Sequence, residues 1–239
     1  GKGGILRGNG KVIGNTVVAG ILEPGNSPGI LNIDGNLTQQ PTATLSVDID
    51  GSEAGTGASK HDQIIVSNTF TADGRLIAKL RGITGEATNT FTPSIGQSFT
   101  IVKANSVQGV FAVFDSYTKP TDGLAAGTRL NVGYTPTSVV LYITPESYSS
   151  VANGENRTGT AKFLDNAINA KLADATGLAE LAAGKTDIAK LYQAFLPANS
   201  SMIQQALVNM SPALYAESAQ SILAIQQSLH HTQALAEGF

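Results

Sequence analysis

The stretch Leu22-Glu23-Pro24-Gly25-Asn26-Ser27-Pro28-Gly29-Ile30-Leu31 decides how the chain folds. Two Pro-Gly pairs stand four residues apart, with Asn26 and Ser27 between them and apolar residues on both sides. Proline fixes φ, glycine supplies positive φ, and Asn or Ser can bond its own backbone, so the stretch reads as a turn. It is too short and too apolar at its ends for a linker. The expectation is a tight corner between two strands of a repetitive β structure.

Composition sets the frame. The 239 residues suffice for one large domain or two small ones with a real core. A hydrophobic fraction of 41% argues against general disorder, and only 14% of residues are charged, well below the usual quarter. A net charge of −3 gives no basic footprint and argues against nucleic acid as a partner. With no Cys, thiol-based metal and redox sites are excluded. No apolar run approaches the ~20 residues a spanning helix needs. The sequence starts in mid-pattern, at Gly1-Lys2-Gly3-Gly4-Ile5-Leu6, which reads as a piece of a longer chain.

Outward from the corner, short strands follow one another. Val12-Ile13, Val17-Val18 and Ile21-Leu22 precede it, with Gly8, Gly10, Gly14 and Gly20 at the bends. Ile30 to Ile33 follows, closed by Asp34-Gly35-Asn36. Leu45, Val47 and Ile49 alternate with Ser46, Asp48 and Asp50, a clean period of two. Ile64-Ile65-Val66 reads as a short buried run. Strands are also expected at Arg75–Leu80, Phe99–Val102, Val110–Phe114, Leu130–Tyr134 and Val139–Ile143, the last two joined by a hairpin at Thr135-Pro136-Thr137-Ser138. The early strands suggest stacked circuits, and the later, aromatic-rich ones a sheet or sandwich that seals the end, since open terminal circuits expose apolar surface and unpaired backbone.

Composition changes near residue 150. Gly, Thr, Val and Ile give way to Ala, Leu, Gln and Lys, and a polar connector is placed between Pro145 and Asn156. The expected division is a β region at 1–150 and a helical region at 151–239. Phe163, Leu164, Ala167, Ile168 and Leu172 recur at helical spacing, as do Leu178 to Phe195 around Gly184. Pro197 stops that run, Ser200 or Ser201 starts a further helix, and Ser211-Pro212 starts the last.

The order of these motifs resembles the end of the passenger region of classical autotransporters, the type V secretion proteins of Gram-negative bacteria. Gly14 to Leu31 resembles that family's corner after a glycine-rich circuit. His61-Asp62-Gln63-Ile64-Ile65-Val66, Gly96-Gln97-Ser98-Phe99-Thr100-Ile101-Val102 and Gly109-Val110-Phe111-Ala112 are similar to its successive strands. Leu207 to Ser218 resembles the linker before its translocator barrel. The resemblance implies a right-handed parallel β-helix end with a capping β-sheet or sandwich, the autochaperone or junction region, followed by a helical segment. The segment from Asn156 on is long for a simple pore-threading linker and suggests several helices. The implied role is a folding nucleus and scaffold for secretion and surface display, at the bacterial cell surface or outside it and tethered to the outer membrane. The implied partners are the chain's own C-terminal barrel and the upstream passenger. The corner and core positions Pro24, Gly25, Asn26, Pro28, Gly29, Ile65, Phe99, Phe111 and Val140 would carry that role.

Chemistry is sparse, and no catalytic, cofactor-binding or metal site is expected. Asp48 and Asp50 share a face and precede Gly51, a hint of calcium, but the remaining EF-hand ligands are missing. A solvated strand face is the simpler reading. His61-Asp62 could belong to a triad, yet no nucleophile elbow accompanies it, and Asp62 is expected to bond backbone at a strand start. His230-His231 diverge by about 100° on a helix and make poor joint ligands. Two other roles remain open: an adhesin-type module binding host glycan or matrix, and a β-helix polysaccharide-degrading enzyme. Scattered, few acids rank the enzyme last.

Overall fold

The computed structural model describes residues 3–26, 28–80, 90–116 and 123–210. The chain is mainly β with helices at its C-terminal end, and its strands form two curled sheets. It winds so that each strand returns beside one laid down earlier. β1 (Ile5–Gly8), β2 (Gly10–Ile13) and β3 (Thr16–Val18) are followed by β4 (Ile21–Pro24), β5 (Ile30–Asp34) and β6 (Leu37–Gln39). β7 (Thr44–Ile49) leads through the short β8 (Glu53–Ala54) and β9 (Lys60–His61) to the long β10 (Gln63–Ala72). β11 (Arg75–Leu80), β12 (Ser98–Gly109) and β13 (Val113–Ser116) complete the parallel set.

One sheet runs β1-β4-β7-β11-β13, parallel throughout, with Ile5 beside Ile21, Ile21 beside Thr44, Thr44 beside Arg75 and Arg75 beside Val113. The other runs β2-β5-β10-β12, also parallel, and β3-β6 pairs onto the second half of β10. Parallel sheets of this kind bury their inner face. Like side chains therefore stack in rows: Leu22, Leu45 and Leu76; Leu31, Ile64 and Val102; Leu37, Phe70 and Val107. All but Val107, which packs partly buried against them, are buried, and burying each Leu, Ile or Val contributes about 1.5–3 kcal/mol.

That stacking corrects two expectations. Ile64-Ile65-Val66 is not a buried run: Ile64 and Val66 face the core, while Ile65 points outward and is 37% exposed. Only one face of β10 meets the core, so the period is two. Val110 to Ala112 precede β13 rather than belonging to it, although Phe111 is fully buried.

In the second sheet the parallel arrangement stops at β12. Its other edge pairs antiparallel with β15 (Ser138–Pro145), which pairs antiparallel with β14 (Thr128–Thr135). The hairpin turns at Pro136-Thr137, as the sequence predicts. It continues the second sheet instead of forming a separate layer.

Among the described residues four helices follow: α1 (Glu155–Leu172), α2 (Ala175–Ala183), α3 (Asp187–Phe195) and α4 (Ser200–Met210). Asp174 caps α2 by accepting from Gly177 N–H at 2.7 Å, and Thr186 caps α3. Gly184 ends α2 at φ 62°, a left-handed conformation that suits glycine. Asn199, not Ser200 or Ser201, caps α4 by accepting from Met202 N–H at 3.0 Å. Phe163, predicted on the apolar face of α1, is 58% exposed, and Ala161, Leu164 and Ile168 form that face. Ser211-Pro212 and His230-His231 lie outside the described residues.

The connector between the two parts is packed rather than loose. Tyr148 is fully buried in a single 3-10 turn, Tyr148–Ser150, edge-on to Phe195 at 5.1 Å. The Asp165 carboxylate of α1 accepts from Ser147 Oγ–H at 2.6 Å, Tyr148 N–H at 2.6 Å and Ser149 N–H at 3.0 Å. The two apolar cores meet here: one ends at Ile143, and the other begins at Tyr148.

Candidate functional site

The corner between β4 and β5 is built from buried backbone. Pro24, Gly25, Pro28 and Gly29 are buried and Asn26 is exposed; Ser27 lies outside the described residues. Gly25 adopts φ 81°, and a Cβ there would collide with the backbone of Gly29. A Cβ on Gly29 would collide with Asn9 Oδ1. Both glycines are therefore fixed by close approach, not by flexibility.

Buried amides need partners, and this corner takes its partners from circuits on either side. Gly25 N–H donates to Gly8 O at 2.9 Å, and Ile30 N–H to Asn9 Oδ1 at 2.9 Å. From the following circuit, Asp62 Oδ1 accepts from Gly29 N–H at 2.7 Å, and Gln63 N–H donates to Gly29 O at 3.0 Å. Gly57 N–H, in the loop between β8 and β9, donates to Pro28 O at 3.2 Å. The other carboxylate oxygen of Asp62 accepts from Asp48 N–H of β7 at 2.8 Å. The expectation that Asp62 bonds backbone at a strand start agrees with this geometry.

A second corner repeats the device. Asn36 N–H and Nδ2–H both donate to Asn15 Oδ1, at 3.0 and 2.9 Å, and Thr69 N–H donates to Asn36 Oδ1 at 3.1 Å. Ser67 Oγ accepts from Gly35 N–H at 2.8 Å. Sequence reasoning missed Asn9, Asn15 and Ser67. A signal existed: the Asn9–Ile30 and Asn15–Asn36 contacts both span 21 residues, the repeat that places an Asn one circuit ahead of each corner.

The titratable groups around the first corner are unusual in their burial. Asp62 is 1% exposed. Burial pushes its carboxyl up to about 7 against the pull of its two amide donors, and Asp48 and Asp50 add repulsion. His61, also buried, lies edge-on to Phe99 at 5.5 Å with Nδ1 3.3 Å from Gly51 O, and burial holds its pKa below the ordinary value. So the neighbouring His and Asp serve an aromatic contact and two backbone amides, respectively. The strand face of Asp48 is not solvated, contrary to expectation: Asp48 and Ser46 are buried. They line a polar cleft of about 350 Å³ beside the corner, together with Arg7, Glu23 and Lys79. Arg7 is ion-paired with Glu23, and Lys79 stands beside Asp48 in the β7–β11 register. Among the described residues, no group of three or more His, Asp or Glu is placed to hold a metal ion.

Of the remaining sequence-selected residues, Phe99, Phe111 and Val140 are core, and Ile65 is not. Phe99 is fully buried, edge-on to Phe91 at 6.0 Å. Phe111 lies between Phe70 and Tyr134, with ring centroids at 6.2 and 6.4 Å, and its N–H donates to Tyr134 Oη at 2.9 Å. Val140 is buried on β15. The corner and the aromatic cluster thus lie on separate parts of the β region, joined through β10 and β12. No family model and no curated protein matches this chain.

Proposed function

We propose that this chain is the C-terminal passenger region of an autotransporter, wound as a right-handed parallel β-helix end with a hairpin cap, and that it serves secretion as a folding nucleus and scaffold at the bacterial cell surface. The observation that carries the reading is the asymmetry of β12. One edge continues the parallel stack through β10, and the other is closed by the antiparallel β15–β14 hairpin. In the second sheet the hairpin occupies the edge where a further parallel strand would pair, so parallel growth of that sheet runs toward the N-terminus. Each new circuit would find a template of strands and of side-chain acceptors such as Asp62 and Ser67. Folding from that end, once outside the cell, would bias transport outward. The helices α1–α4, joined through the buried Tyr148 turn, fit a folded base between this cap and the membrane-embedded barrel of the parent.

The test is surface display of the full-length parent carrying Gly25→Val or Phe111→Asp. Gly25→Val forces a branched side chain into a left-handed corner, and Phe111→Asp places a charge in the cap core. Both are expected to lower surface levels and protease resistance together. Unchanged display and resistance in both variants would remove the reading.

A further inference from the structure

The outer face of the first sheet carries a cleft that the folding role does not use. In β7, Leu45, Val47 and Ile49 point into the core, so Ser46 and Asp48 point the other way. Arg7 lies beside Glu23 in the β1–β4 register, Leu22 beside Leu45, and Asp48 beside Lys79. Five polar side chains from four strands, Arg7, Glu23, Ser46, Asp48 and Lys79, thus converge on one cleft of about 350 Å³, which Pro24 and Asn26 of the corner also line. That volume falls in the range of small-molecule pockets, about 300–1,000 Å³. Ser46 is only 6% exposed, yet its hydroxyl makes no hydrogen bond among the described residues, and neither do the side chains of Asn26 and Lys79. A hydroxyl set this deeply normally has a partner, and this one borders the cleft.

The chemistry of the lining selects the ligand. Each acid has a base at hand: Glu23 is ion-paired with Arg7, and Asp48 stands beside Lys79. The charges of the lining balance, so a charged ligand gains no net attraction. What the cleft offers is hydrogen-bonding capacity: a hydroxyl that both donates and accepts, a carboxamide, and an ammonium group. Neighbouring hydroxyls of a sugar ring match that set, because each can donate to one group and accept from another. We propose that this cleft binds a neutral saccharide unit of a glycan, with Ser46 Oγ, Lys79 Nζ and the Asn26 amide as its hydrogen-bonding contacts. The site goes beyond the secretion role and does not depend on it.

The experiment is binding of the 239-residue chain to an array of neutral, sialylated and sulfated oligosaccharides, followed by calorimetric titration with the glycan bound best. Neutral glycans are expected to bind, and the affinity to fall about tenfold in Ser46→Val and in Lys79→Met, through the loss of one hydrogen bond each. Lys103→Met, on the second sheet, is expected to bind like the wild type. Should Ser46→Val fail to fold, Lys79→Met and the exposed Asn26→Ala carry the comparison. Binding to none of the glycans overturns the site, as does binding confined to the sialylated or sulfated ones. So does an affinity that the cleft variants leave unchanged, or one that Lys103→Met lowers equally. Surface display does not enter the test, so the two readings fail separately.

Discussion

The corner at Gly25–Gly29 and the turn at Tyr148–Ser150 each redirect the chain, and each must satisfy buried amides. They do so in opposite ways. The corner distributes its bonds over Gly8, Asn9, Gly57, Asp62 and Gln63, which belong to the circuits before and after it. The later turn relies on one residue, Asp165, for three bonds, all within 18 residues of chain. The difference reflects what each part can bury. A stacked strand finishes its ladder only when its neighbours are in place, so its corners are held by other circuits. A helix satisfies most of its own amides and needs partners only at its ends and joints. Damage in the β region should therefore spread along the stack, and damage in the helical region should stay local.

The largest expected effects come from the two cores. Phe70→Ala should cost about 3–5 kcal/mol, as should Phe195→Ala, since both side chains are fully buried. The pattern should differ. Phe70 stacks between Leu37 and Val107 of neighbouring circuits, so its loss should speed amide exchange in β5, β6 and β12 together. Loss of Phe195 should speed exchange in 148–210 and leave β4 to β7 protected. Exchange measured by mass spectrometry checks this, and equal spreading in both variants would erase the distinction.

A smaller effect sharpens the same contrast. Asn36→Ala removes one accepted and one donated bond between circuits, for about 2 kcal/mol in all. Asn199→Ala removes the cap of α4, at about 1 kcal/mol. Urea midpoints should rank them in that order. Equal shifts would mean that the Asn contacts between circuits add nothing beyond an ordinary cap.

Local chemistry made much of this legible in the sequence. Pro24-Gly25 and Pro28-Gly29 announced the corner because only particular residues take those backbone angles. The alternation at Leu45, Val47 and Ile49 announced β7, because one of its faces packs into the apolar core while the other carries the polar Ser46 and Asp48. The change of composition near residue 150 fell where the two cores separate. What stayed hidden depends on contacts distant in sequence. Ile65 and Phe163 look as apolar as their buried neighbours, and only the packing around them decides which face is inward. The burial of Asp48 and the double bond-acceptance of Asp62 depend on circuits 14 and 33 residues away. Asn9 and Asn15 became meaningful only once the register placed them beside the corners they serve.

That register is the central claim, and because the chain has no native Cys it can be tested without background. Ile65 and Lys103 are partners on adjacent parallel strands β10 and β12, and neighbouring strands lie about 4.8 Å apart, within reach of a disulfide. The most direct measurement is oxidation of the double variant Ile65→Cys with Lys103→Cys, beside the slipped control Ile65→Cys with Ala104→Cys. The in-register pair is expected to close into an intramolecular disulfide in the folded chain while the slipped pair stays reduced. Closure of the slipped pair, or failure of the in-register pair in a folded chain, would contradict the stacked arrangement.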